Sequence, residues 1–150
     1  MGEAGETVRY YPMKVGGVEL TYPNVNAGAG KYAAAMVVGN LVFLSGMTAQ
    51  SEADGSCLAG TIEEQVTACL EKVRLHLEEV GSSLENVVKT LIILKDIEYY
   101  PRMRATELAY YQKYAPRLVK EPPASTVFQA ASLARPEFLV EWDVVAVLSR

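Results

Sequence analysis

The stretch whose reading decides the fold is residues 121–148, EPPASTVFQAASLARPEFLVEWDVVAVL. Two extended runs flank the turn Leu133-Ala134-Arg135-Pro136. Along residues 140–148 the pattern has the two-residue period of a strand. Val140, Trp142, Val144, Ala146 and Leu148 share one face, which is wholly apolar and must be covered. Glu141, Asp143, Val145 and Val147 share the other. Carboxylates on a face that continues as valines mark either a pocket or subunit interface, or simply the wet end of a sheet. The second reading carries weight because Asp and Glu are rarely buried unless paired.

Before this stretch, Pro122-Pro123 resets the chain after a helix that Asp96 can help start, with Pro101 tolerated in its first turn and Pro116 ending it. Met103, Tyr110, Tyr111 and Tyr114 are its packing residues, and the tyrosines read as core and rim rather than a stacking surface for bases. Residues 87–94, VVKTLIIL, are almost continuously apolar, as in a strand buried on both faces. The strongest helix precedes them. Thr61 and Glu64 have the spacing of a capping box, Ile62, Val66, Cys69, Leu70, Val73, Leu77 and Val80 fall on one face, and Gly81 supplies the stop. His76, the only histidine, lies off that stripe and reads as a boundary residue rather than a catalyst. Residues 32–38 and 41–45 flank Gly39-Asn40, a two-residue hairpin link. Residues 1–28 read as a loose N-terminal extension of a single domain spanning 1–150, with short extended pieces at 8–11 and 18–22. The order predicts an α+β domain: one mixed sheet with two helices on a single face, the Gly46-to-Val87 connection being a right-handed crossover. The uncovered sheet face calls for oligomerisation.

Composition narrows the classes. Half of the 150 residues are hydrophobic and 21% are charged, which excludes a disordered chain. The net charge of −4, with no Lys/Arg run, argues against a nucleic-acid partner. No apolar run approaches the ~20 residues needed to cross a bilayer, so no membrane partner is expected. The first ten residues lack the regions of a signal peptide, and the two cysteines sit in unrelated contexts. The expectation is a cytoplasmic protein with no cofactor and no metal.

Several blocks, in order, resemble the RidA family, also called the YjgF/YER057c/UK114 or endoribonuclease L-PSP family. They are GNLVFLSG at 39–46, the helix at 62–81, LENVVK at 84–89, LKD at 94–96 and VEWDVVAV at 140–147. The resemblance runs from about Gly30 to Leu148. It implies a chorismate-mutase-like fold assembled as a homotrimer, with small-molecule sites at the subunit interfaces. Its best-known members hydrolyse reactive imines or enamines derived from amino acids. Position by position, it places the pocket tyrosine on Tyr32, the pocket serine and glycine on Ser45 and Gly46, and the water-activating glutamate on Glu141.

One position departs from the pattern. Where the deaminases carry Pro-Ala-Arg, this chain has Pro123-Ala124-Ser125, and the cysteine two positions later is Val127. A serine cannot neutralise a substrate carboxylate as a guanidinium does. The family's pocket asparagine on the second helix falls on Arg104, and Lys31 stands where proline is usual; either is a candidate replacement cation that would grip an anion. Three functional readings follow: a RidA-like enamine/imine deaminase or related hydrolase with an altered substrate and Glu141 activating water, a non-catalytic small-ligand-binding or interaction trimer, and, weakest, a ribonuclease or translation inhibitor.

Overall fold

The chain is described here by a computed structural model covering residues 7–23, 28–58 and 60–150. It runs β1 (Val8–Pro12), β2 (Lys14–Val15), β3 (Val18–Glu19), β4 (Ala33–Val38), β5 (Leu41–Leu44), α1 (Ile62–Glu79), β6 (Val87–Leu94), α2 (Tyr100–Tyr114), α3 (Arg117–Lys120), β7 (Ala124–Gln129) and β8 (Val140–Val147). β2 and β3 form a separate ribbon, while the other strands build one sheet in the order β1-β4-β5-β8-β6-β7.

β8 lies between β5 and β6 and is antiparallel to both, so β5 and β6 run parallel to each other. Parallel strands need a long crossover, and α1 supplies it. β6 and β7 are also parallel, with α2 as their crossover. The sheet is therefore mixed, with the apolar faces of both long helices packed on one side. Val66, Leu70 and Val73 of α1 and Met103 and Tyr111 of α2 are buried with Ile92, Trp142 and Val144 of the sheet.

Local chemistry fixes these elements. Gly39 takes a positive φ of 59° at the first position of the β4–β5 turn, the conformation that a glycine supplies without steric cost. Thr61 Oγ1 accepts from the Glu64 amide at 3.2 Å, and the Glu64 carboxylate accepts in turn from the Gly60 amide at 3.1 Å. The return bond thus reaches one residue earlier than in the standard box. At the other end Gly81 has φ 87°, its amide donates to Glu78 O, and Ser82 N donates to Leu77 O. This pair of bonds is the Schellman motif. Asp96 does cap, but it caps a single 3₁₀ turn, Ile97–Tyr99, and α2 begins after it.

Two expectations change. Residues 1–28 are not loose throughout: Val8–Pro12 pairs antiparallel with β4 and extends the sheet, because β4 offers a free edge beyond the hairpin. Residues 1–6 and 24–27 lie outside the described residues. β6 is buried on one face only; Thr90, Ile92 and Leu94 are inside, whereas Leu91 and Ile93 are half-covered and Val88 is exposed. The reason is the one-sided helix layer. The open face carries Tyr10, Leu41, Phe43 and Phe128, all exposed.

Replacing the cap, Thr61→Ala, should cost about 0.5–2 kcal/mol of stability. A fall in the urea midpoint with an unchanged slope, read by circular dichroism, is the expected result.

Candidate active site

Because Trp142 is fully buried on the helix side, Glu141 must project from the open face, where it stands opposite Ile93 of β6. Backbone pairing then brings its partners. Met47 and Trp142 exchange two amide-to-carbonyl bonds of 2.8 Å each, laying the segment after β5 across β8. Gly46 is pressed against the glutamate: a Cβ there would lie 2.9 Å from Glu141 Cδ and 3.0 Å from Cγ. A side chain here would push the Glu141 carboxylate out of this place, so the glycine acts through close approach and not through its φ. Ser45 is fixed by its hydroxyl, which donates to Ala33 O at 2.6 Å, and by its amide, which donates to Ala34 O at 3.1 Å. Farther along the chain, buried Gln65 of α1 donates to Glu137 O and accepts from the Leu139 amide, both at 2.8 Å, pinning the entry to β8.

These constraints enclose a cavity of about 310 Å³ lined by Tyr32, Ser45, Gly46, Thr48, Gln50 and Glu141. Beneath it lies Lys72 of α1, whose side chain is only 13% exposed. Its Nζ donates to the carbonyls of Thr48 and Gln50 at 3.0 and 2.9 Å and lies 3.9 Å from Glu52. His76 Nε2 sits 2.6 Å from the Glu52 carboxylate, which gives the histidine a structural partner.

The electrostatics suit proton transfer. Burial raises the pKa of Glu141, the Asp143 carboxylate raises it further, and Lys72 opposes both. Burial lowers that of Lys72, against the pull of Glu52 and Glu141. Burial also works to raise Glu52, but the His76 hydrogen bond and neighbouring cations outweigh it and hold that carboxyl below its usual range. The phenol of Tyr32 is raised by burial and by the carboxylates of Glu141 and Glu52, so it keeps its proton at neutral pH.

Ser125 and Arg104 come together elsewhere. Arg104 Nη2 donates to Ser125 Oγ at 3.0 Å, and both line a second cavity of about 340 Å³. Val127, two residues along β7, is partly buried against the core. Strand pairing explains the separation. Ser125 pairs with Thr90 and Val127 with Ile92, on the helix side, whereas Glu141 pairs with Ile93 on the open side. Directly paired residues share a face and successive residues alternate, so the two cavities open on opposite faces of one subunit. Lys31 joins neither: it is exposed, with its ammonium 5.7 Å from the centre of the Tyr22 ring. A larger groove of about 740 Å³ between α1 and α2 contains none of the expected site residues.

The sequence model of the family described as endoribonuclease L-PSP matches residues 24–148. The chain belongs to this family, the RidA/YjgF family. A RutC family protein of Pyrococcus abyssi is 29% identical over 78% of this chain and 86% of its own length. A 2-iminobutanoate/2-iminopropanoate deaminase of Rattus norvegicus is 26% identical over 81% and 82%. A crystal structure of a YjgF-family member from Neisseria meningitidis, 29% identical, superposes over 96% of this chain and 97% of its own with a TM-score of 0.71.

Within the RidA/YjgF frame, sequence reasoning missed Thr48, Gln50, Lys72 and Glu107. Thr48 and Gln50 alternate with Gly46, a signal that could have been used. Lys72 gave none, since a lysine on an amphipathic helix reads as solvated surface until the loop that covers it is known.

Removing the buried ammonium, Lys72→Met, should raise the Glu141 pKa further. Carboxyl-detected NMR titration reads it directly, and a downward shift would reject the arrangement. The sign for stability follows: a raised folded pKa means that the native state holds the proton more tightly. The Glu141 contribution therefore grows as pH falls through the raised value and levels off below the unfolded one.

Proposed function

We propose that the protein is a hydrolase of small reactive imines or enamines, with Glu141 activating water. The observation that carries this is the half-buried Glu141 carboxylate, raised in pKa and held against Gly46 and beside Tyr32 and Ser45 in one cavity. A base must be positioned first and matched in pKa second; the place of Glu141 in the cavity and the upward direction of its pKa support that role. In the step envisaged, Glu141 takes a proton from water as its oxygen bonds to the C=N carbon, and the π electrons pass to nitrogen. The proton is delivered to that nitrogen to give a carbinolamine. Glu141 then passes the hydroxyl proton to the same nitrogen, the C–N bond breaks as the C=O bond forms, and a carbonyl compound and ammonia leave. This chemistry calls for no cofactor or metal.

The working unit is proposed to be a homotrimer with sites at the subunit interfaces. Support comes from the apolar open face and from the two cavities, which one subunit holds on opposite sides of its sheet. A second copy laid against the open face could bring its Arg104–Ser125 cavity to the Glu141 cavity of the first. Among the described residues no helix is long and apolar enough to cross a membrane. A cytoplasmic setting is supported by Cys69, a free thiol buried in the core.

A second reading, a binding trimer without catalysis, is favoured by one observation: the guanidinium nearest Ser125 is already paired with Glu107. Activity decides between the two. Ammonia release from a panel of imines and enamines should be found, and Glu141→Gln should lower turnover about 10²- to 10⁴-fold with folding intact. An unchanged rate would move the role, with Asp143 next on the same strand face. Light scattering should give a trimer of about 49 kDa, three times the 16.4 kDa chain. A stable monomer at micromolar concentration would remove the composite site.

A further inference from the structure

The second cavity differs in charge from what a cation beside Ser125 suggests. Arg104 Nη1 donates to both oxygens of Glu107 at 2.9 and 3.1 Å, its Nε donates to the Tyr100 hydroxyl at 3.3 Å, and one Nη2 hydrogen goes to Ser125. The Glu107 side chain is only 12% exposed, so its charge faces the guanidinium rather than water. The pair cancels within the cavity wall. A guanidinium has five N–H donors, and Nη2 keeps one uncommitted. The cavity also contains Thr90, 1% exposed, whose hydroxyl has no hydrogen-bond partner among the described residues. A buried hydroxyl left unpaired costs free energy that a ligand polar group can recover.

A ligand carboxylate entering here would place a second anion near Glu107, with one guanidinium between them. An uncharged carbonyl meets no such opposition. It can accept from the spare Nη2–H, and a turn of the Thr90 side chain, whose unpartnered hydroxyl is closed off in the empty cavity, would bring a second donor that the NH₂ of a primary amide can also meet. We propose that this cavity anchors an uncharged carboxamide-type group of the ligand, in place of the free carboxylate of a 2-imino acid. This revises the grip on an anion expected of Arg104 from the sequence. That the anchored ligand is also the one attacked at Glu141 rests on the proposed function; the binding preference does not.

Two probes differing only in the head group test it: 2-oxobutanamide and 2-oxobutanoate, titrated into the full-length protein while the Thr90 methyl signal is followed by NMR. The amide should bind at least about tenfold more tightly and shift the Thr90 signal. Thr90→Val should weaken the amide about 2- to 13-fold, the range of one hydrogen bond, without loss of folding. Glu107→Gln frees the guanidinium and should turn the preference toward the carboxylate. Equal or tighter binding of the carboxylate by the unaltered protein, an indifferent Thr90→Val, or a Thr90 signal that neither probe moves would overturn the proposal. If Glu107→Gln fails to fold, the probe pair and Thr90→Val still decide. Turnover is not read, so a protein that prefers the amide but releases no ammonia leaves this inference standing and removes the proposed hydrolase.

Discussion

The burial of Trp142 is the constraint on which the site depends. An indole on the central strand has one acceptable location, under α1 and α2, and it is fully buried there. Alternation then leaves Glu141 no choice of face. The same residue's backbone pairs with Met47 and draws Gly46 up to the glutamate. A strand slip of one residue would put the carboxylates in the core and the indole outside, so hydrophobic register and site geometry are one fact. Gln65 reinforces it by fixing the loop that feeds β8.

This explains which features could be read from the chain alone. The period of β8, the capping signals of α1 and the Gly39 turn act over a few residues and are legible locally. Glu141 was legible for the same reason: its face is fixed by the residues on either side. The strand character of residues 8–11 could also be seen, but not that they join the main sheet, because their partner lies some twenty-five residues on, past a glycine-rich stretch. The Arg104–Glu107 pair has ordinary helical spacing and would read as surface charge anywhere else. What makes it different is the burial of Glu107 in a cavity that Pro122 and Pro123 also line, a tertiary fact. The phase of β7 relative to β8 was equally hidden, since both are set by pairing to β6 and not by their own sequences.

That phase has a consequence for assembly. Ser125 on the helix side and Glu141 on the open side are separated by the sheet itself, and no side-chain rearrangement within one subunit carries a ligand across it. In the proposed trimer, a site that uses both joins two copies. The exposed Leu41, Phe43 and Phe128 supply an apolar surface on the open face for such a contact. Burial of that surface on association is worth roughly 25 cal/mol per Å² before the costs of association are counted. In the proposed assembly, the apolar contact and the completion of the site fall on the same face.

Charge arrangement then sets what such a site can select. On the Glu141 side, burial and Asp143 favour the protonated carboxyl while Lys72 holds it back, leaving a base whose strength is a balance of three groups. On the Ser125 side, the cation that could have replaced the missing arginine is matched by Glu107, whose own pKa is raised by burial against the pull of Arg104. A free guanidinium reads a carboxylate by charge; a guanidinium already paired reads a carbonyl by hydrogen-bond geometry. In the proposed reading, an arginine on α2 beside Ser125 therefore does not do the work of an arginine on β7. In that reading the glutamate one helical turn on converts a charge filter into a polar one, with the spare Nη2–H of Arg104 as its donor.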